Sequence, residues 1–311
     1  MAQEYIPAKK SLLNFYKDIP LYYCTEDNKF VLYKSSGITL FDMRIEEGLY
    51  PEKLYIKQDD KIKGIQEVQK VFNQQLKKDI RSNNPEKVKE TLLNIMEETL
   101  TEPKSGSLEG MSETMNIIVN EYTEHYDVMK NLLDVTSKDY TTVLHSINVM
   151  SLVLGYAFFV NHSLPQKKIL GLSALLHDVG KTKTSTELLT MTEKLTEEEF
   201  KEMRRHTIEG YNILSHCKFK DEEIKFTALH HHEKLDGSGY PYGKKKISET
   251  AQIVGLIDCY EALTNDDRPY RRATDPMNAL TLIKKDVEAG KFDRNIFENF
   301  AYSLLYVNLI V

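Results

Sequence analysis

The sequence predicts a mainly α chain: an all-α helical bundle over residues 111–311, preceded by a small α+β domain with linking helices over residues 1–100. Three observations predict it. Short runs rich in Tyr, Val, Ile and Phe are confined to residues 20–60. Apolar residues recur at helical spacing from Lys61 onward. The segments Leu152–Phe159, Ile169–Leu176 and Ile253–Ile257 are apolar nearly all round, as buried helices are.

In order along the chain, PLYYC, FVLYK, GITLF and KLYIK read as strands, separated by the turn signals EDN, SSG and EEG. Ile65, Val68, Val71 and Phe72 mark a helix, which Asn83-Asn84-Pro85 interrupts. Val88, Leu92, Leu93 and Met96 belong to the next one. TEPKSGSLEG, residues 101–110, carries Pro, Gly and Ser and reads as a linker. Further on, Thr196-x-x-Glu199 is a capping box ahead of Phe200 and Met203. Asp275-Pro276 starts a helix that Gly290 ends.

Composition narrows the function. Hydrophobic residues at 41% exclude wholesale disorder in a chain of 311 residues, because enough apolar surface exists to offset the ordering entropy. Lys and Arg total 41 against 47 Asp and Glu, a net charge of −6, which argues against a nucleic-acid polymer as partner and leaves room for a local basic pocket. Cys24, Cys217 and Cys259 are odd in number and far apart, so they form neither a disulfide framework nor a metal clip. Leu152–Val160 is too short an apolar stretch to span a bilayer, and MAQEYIPAKK lacks the pattern of a signal peptide. The expectation is a cytoplasmic protein without membrane insertion.

The chemistry lies in a set of polar residues at odds with their apolar surroundings. His145 leads an apolar helix, His177-Asp178 ends another, His206 lies in RRHTIEG, His231-His232 ends a third, and Asp258 interrupts IVGLIDCYEAL. One such residue is ordinarily a hydrogen-bonded core group. Several of them on helices that must pack together would each cost about 1–3 kcal/mol without a partner. A metal cluster satisfies them all at once. Neighbours on a helix point about 100° apart, so His177 and Asp178 serve two ions or stand where the helix ends, as Gly180 permits. The same holds for His231 and His232, ahead of Asp236-Gly237-Ser238-Gly239. A carboxylate at 178 suits bridging of two cations. Histidine-rich ligands disfavour Mg²⁺ and Ca²⁺ and fit Fe, Mn, Zn or Ni.

These residues match a family. HD at 177–178 followed by VGK, then HHEKLDGSGYP, IDCYEALT and DRPYR in that order, resembles the HD-GYP domain, a subgroup of the HD metal-dependent phosphohydrolases, over about residues 135–300. The resemblance implies a five-helix HD core, a metal cluster, and hydrolysis of cyclic di-GMP to pGpG, or on to GMP, by a metal-activated hydroxide. It assigns His145, His177, Asp178 and Asp258 to one ion, and Asp178, His206, His231 and His232 to a second. Many members hold a third ion with a Glu one turn before the first histidine. Here Thr141 stands there, so two transition-metal ions are expected, iron first and manganese second.

Asp178 is thereby expected to act in catalysis. Lys181, one turn beyond it, is within reach of a phosphate oxygen or the leaving group. Arg268 and Arg271, clustered with Arg272, would bind the substrate phosphates. The chain has TNDDRPYR where the family more often has one acidic residue before RPYR, which makes the position of Arg268 less secure. The GYP loop is expected to shape the support of His231 and His232, or else to dock partner proteins. Asp236 is a candidate partner for a ligand histidine, and His230 is expected to face away from the ions. Two other functions compete: a receptor that binds the dinucleotide without turnover, and an HD phosphohydrolase acting on another nucleotide. The N-terminal domain is read as regulatory or docking.

Overall fold

Four short strands form an antiparallel sheet in the order β1-β4-β2-β3: β1 (Tyr5–Pro7), β2 (Leu21–Cys24), β3 (Phe30–Lys34) and β4 (Tyr55–Lys57). In this computed structural model the described residues are 4–41, 51–124, 141–191, 193, 195–265 and 273–306. β1 escapes sequence reading because Tyr5 to Pro7 is too short to show an alternation; it is set by its register against β4, Ile6 opposite Ile56. The strand expected at GITLF is not formed over Gly37–Phe41, which is turn and irregular backbone. The buried Lys34 ammonium explains this, since it donates to the carbonyls of Ser35 and Ile38, and to that of Lys17, turning them inward and away from any ladder.

Twelve helices follow among the described residues: α1 (Lys61–Arg81), α2 (Pro85–Leu100), α3 (Met111–Glu124), α4 (Thr142–Phe159), α5 (Leu164–Leu176), α6 (Thr186–Thr190), α7 (Glu197–Arg204), α8 (His206–Ser215), α9 (Glu223–His230), α10 (Glu249–Thr264), α11 (Pro276–Glu288) and α12 (Arg294–Tyr306). Their ends are where the local chemistry puts them. Asn84 caps α2 by accepting from the Lys87 amide, with Pro85 at the first position. Thr196 and Glu199 form the reciprocal box that starts α7. The Asp275 carboxylate accepts from the Met277 and Asn278 amides at the start of α11.

Two cores share one helix. The smaller one joins Ile19, Leu21, Leu40 and Ile56 of the strand region to Val68 of α1. The larger begins with Leu76 and Ile80 at the other end of α1 and runs through the bundle to Phe300 and Leu304. Phe72 packs against both. α4 lies centrally, against α2, α5, α10 and α12. It is long and apolar enough to cross a membrane, yet 72% of that window is buried inside the protein, as in a core helix.

Residues 101–110 are a packed turn. Ser107 and Leu108 are fully buried. Gln69 of α1 donates to the Ser107 carbonyl at 2.9 Å and to Thr99 Oγ1 at 2.8 Å. The Glu109 carboxylate accepts from the Gly106 amide and, across the fold, from the Lys218 amide at 2.6 Å. The large core is therefore continuous across this stretch, with helices from both sides of it.

Replacing Gln69 by Leu leaves the Ser107 carbonyl buried without that donor. It is expected to lower the unfolding free energy by about 1–3 kcal/mol, read from the urea midpoint. An unchanged midpoint would mean that other contacts hold the turn.

Candidate metal centre

Three helix ends and two helix faces converge on one buried point. His177 caps the C-terminus of α5, with Asp178 next in the chain. His206 follows the end of α7, and His231 caps α9, with His232 beyond it. His145 is on α4 and Asp258 on α10. The helix-end placement has a physical reason. The carbonyls of a helix's last turn lack intrahelical partners, and three of the imidazoles use them. His177 Nδ1 lies 2.7 Å from the Ala174 carbonyl, His206 Nδ1 2.7 Å from that of Met203, and His231 Nδ1 3.0 Å from that of Ala228. A carbonyl only accepts, so each Nδ1 carries the proton and each Nε2 is left as a lone pair aimed at the centre.

His145 lies in the first turn of α4 rather than at a helix C-terminus. Its Nδ1 is 2.5 Å from Glu261 Oε2, and the other Glu261 oxygen accepts from Asn148 at 3.0 Å and from Asn265 at 2.8 Å. Sequence reasoning missed Glu261. Its signal was the spacing: Asp258 and Glu261 stand three residues apart on α10 and so share a face.

Two glycines let the segments meet. A Cβ on Gly180 would lie 1.9 Å from the His206 carbonyl oxygen, and one on Gly255 would lie 2.0 Å from that of His231. Glycine is needed at both for close approach of backbone.

The donor atoms are close enough to share ions. Ligand-capable atoms of His145, His177 and Asp178 lie within 4.8 Å of one another, as do those of His206, His231 and His232, and those of His177, His231 and Asp258. Asp178 sits between the groups: Oδ2 is 3.6 Å from His145 Nε2, and Oδ1 is 3.3 Å from His206 Nε2. His177 Nε2 and Asp178 Oδ1 are buried with no hydrogen-bond partner. Such atoms are costly in a protein interior unless something else meets them. A cation does so for a lone pair and a carboxylate together, and the residues present therefore fit a metal cluster.

The charge states agree. Burial would raise the Asp178 carboxyl, but Lys181, then His177 and His206, hold it well below the usual carboxylate range. Asp258 is likewise held low against its burial, chiefly by His145. Burial, with His177 and His206 alongside, pushes His231 down to about 3. Burial also lowers His206 and His232. Burial works against a charged His145, yet Glu261 and Asp258 outweigh it and raise the group to about 9. The centre thus combines ionised carboxylates with imidazoles at His206, His231 and His232 that burial holds neutral, the donor set that transition ions take, whereas His145 has to give up a proton to join them.

All seven expected ligand residues therefore come together. Lys181 joins them, its ammonium paired with Asp178 Oδ2. Thr141 is engaged as a helix cap, accepting from the Leu144 amide at 3.1 Å. His230 stacks on Phe226, with its Nε2 3.4 Å from Lys244 Nζ, facing away as expected. Asp236 does not support a ligand histidine; its carboxylate is taken by the Ser238 amide and hydroxyl at 2.9 and 2.7 Å, which folds the loop locally. The loop's anchor is instead the buried Glu233, which accepts from the Tyr242 and Lys244 amides. The Tyr240 ring lies 4.6 Å from that of His232, with the Arg204 guanidinium 5.0 Å from the Tyr240 ring centroid. Arg268, Arg271 and Arg272 lie outside the described residues.

Comparison with known proteins agrees with this geometry. Residues 127–296 match the HD domain family. A cyclic di-GMP phosphodiesterase of Pseudomonas aeruginosa is 33% identical over 192 residues, 61% of this chain and 45% of that protein. A 3'3'-cGAMP-specific phosphodiesterase of Vibrio cholerae is 31% identical over 191 residues, 61% of this chain and 42% of that protein. The chain thus spans less than half the length of these curated relatives. Bd1817, a HDG"Y"P protein from Bdellovibrio bacteriovorus, shares the fold, with a TM-score of 0.64 at 18% identity over 95% of this chain and 98% of that one.

Changing Glu261 to Gln keeps the shape of the contact to His145 and removes its charge. Metal affinity is expected to fall about 10–100-fold, measured by competition with a chelator, with the far-ultraviolet circular dichroism unchanged. Unaltered affinity would reduce Glu261 to a packing role.

Proposed function

The chain belongs to the HD domain family, and on that premise we propose that it is a metal-dependent phosphodiesterase that hydrolyses cyclic di-GMP to pGpG, or on to GMP. The observation that carries the proposal is the buried cluster in which His177 Nε2 and Asp178 Oδ1 lack a hydrogen-bond partner. The similarity to cyclic di-GMP phosphodiesterases supports the substrate.

In this reading His145, His177, Asp178 and Asp258 hold one ion, and Asp178, His206, His231 and His232 hold the other. Iron is the first choice and manganese the second. When bound, the ions supply positive charge for the phosphoryl oxygens and lower the pKa of a water at their edge. The chain's own residues do the rest. Asp178 lies between both groups of histidines and keeps them in one register. The Nδ1 contacts to carbonyls keep the rings from turning. Lys181, partly exposed beside Asp178, donates to a phosphate oxygen and then to the leaving 3′-oxygen. In the net reaction the water oxygen bonds to phosphorus, the P–O3′ bond breaks, and a proton ends on O3′. Arg268 and Arg271 are proposed to bind the substrate phosphates.

A second reading is an enzyme for a mixed cyclic dinucleotide, which the similarity to a 3'3'-cGAMP-specific phosphodiesterase favours. A cytoplasmic location belongs to the same proposal, supported by three cysteines that form no disulfide and the burial of α4. Contacts to protein partners through the GYP loop or the N-terminal sheet are also part of it.

Incubating the iron- or manganese-loaded chain with each dinucleotide and separating the products tests this. Linear pGpG from cyclic di-GMP is the expected result. Turnover of 3'3'-cGAMP alone would favour the second reading, and tight binding without product would make the protein a receptor. Lys181→Met is expected to lower kcat by about 10²–10³-fold with metal content unchanged. Asp178→Asn is expected to abolish turnover and reduce bound metal, as counted by elemental analysis.

A further inference from the structure

A cavity of about 220 Å³ lies directly beside the metal centre. Asp178 and Lys181 stand at one side of it. The other walls are largely apolar: Met96 and Leu100 of α2, Val143 of α4, Leu175 of α5, and Val179. α2 reaches this place because it packs against α4, and Met96 is fixed in the large core while Leu100 is partly buried at the helix end. Neither Met96 nor Leu100 lies within residues 127–296, the part that matches the HD domain. This wall of the site therefore lies outside the part that matches the HD domain.

We propose that this cavity receives a purine ring of the substrate and that Leu100 is a specificity residue that packs against its face, with the buried Met96 closing the wall behind it. The proposal rests on the cyclic-dinucleotide reading given above. Its argument is one of position and chemistry. A phosphodiester placed at Asp178 and Lys181 carries a base one ribose away, and the adjoining cavity shares those two residues. Partly exposed aliphatic side chains such as Leu100 and Leu189 suit a flat ring. A pocket lined mostly by apolar groups with a few polar ones at its edge is the usual form of a small-molecule site. The consequence is that the N-terminal helices help choose the substrate, although no ligand to the ions comes from them.

The test measures binding of two probes, 5′-GMP and ribose 5-phosphate, to the full, metal-loaded chain by calorimetric titration. They share the phosphate and ribose and differ by the base. The wild type is expected to bind 5′-GMP at least about tenfold more tightly. Leu100→Trp, which fills the cavity, is expected to remove most of that preference and to raise KM for cyclic di-GMP by a similar factor. Leu100→Met, which keeps the volume, is expected to retain both. No preference in the wild type, or a preference that Leu100→Trp keeps, would overturn the proposal. Should Leu100→Trp lose metal or fold poorly, Leu189→Trp fills the same cavity from another wall. A wild type that prefers 5′-GMP yet leaves cyclic di-GMP intact would refute the proposed substrate while supporting the base pocket.

Discussion

Imidazoles and carboxylates buried together in an apolar bundle must share a partner, and their unused atoms must be satisfied by something else. Much of the structure follows from meeting both demands. Three rings give their Nδ1 protons to the spare carbonyls of helix ends, which dictates that α5, α7 and α9 stop where they do. The fourth, His145, sits within a helix and so requires a carboxylate, Glu261, which two asparagines in turn hold in place. Gly180 and Gly255 then let the backbones come near enough for the rings to meet. Helix length, glycine position and tautomer are thus one problem with one solution.

The same economy links the two halves of the chain. α1 belongs to both cores, with Val68 in the smaller and Leu76 and Ile80 in the larger. At about 1.5 Å per residue it is a rod of roughly 30 Å. The turn after α2 is stapled to α1 by Gln69 and to the segment before α9 by Glu109. Among the described residues, packed contacts run from the sheet to the bundle along this path. A displacement at the sheet would therefore be carried by packed side chains and hydrogen bonds, the physical means by which coupling between sites is transmitted.

Much of this was legible in the sequence, for reasons that also explain what was not. Helices were legible where periodicity and caps agreed, as at Asn84-Pro85, Thr196 to Glu199 and Asp275-Pro276. The HD-type all-α bundle behind a small α+β region followed from where those signals sit. The buried cluster was legible because each member offends its local pattern: His145 and Asp258 interrupt apolar helices, and the others sit at or beside helix ends. Glu261 was hidden because a glutamate on a helix face is ordinary, and only its burial against His145 reveals its part. Asp236 misled because proximity in sequence to His232 is not proximity of side chains. The turn at residues 101–110 looked like a linker from its Gly, Pro and Ser, yet Ser107 and Leu108 are held by contacts made at distant positions. Lys34 overrode strand propensity in the same way, through three carbonyls that no local pattern announces.

The bond between His145 and Glu261 joins residues 116 apart in the chain. Closing so long a loop is entropically expensive, and contacts of that span are the slow ones to form. The apolar packing of α4 on α10 has the same span, so the imidazole cluster is expected to assemble together with that part of the core. The ions would then enter a scaffold that apolar packing has already built, rather than organise the chain as they do in small zinc domains. Biogenesis of the active form would on that account have two separable stages, a folded apoprotein first and its metallation second.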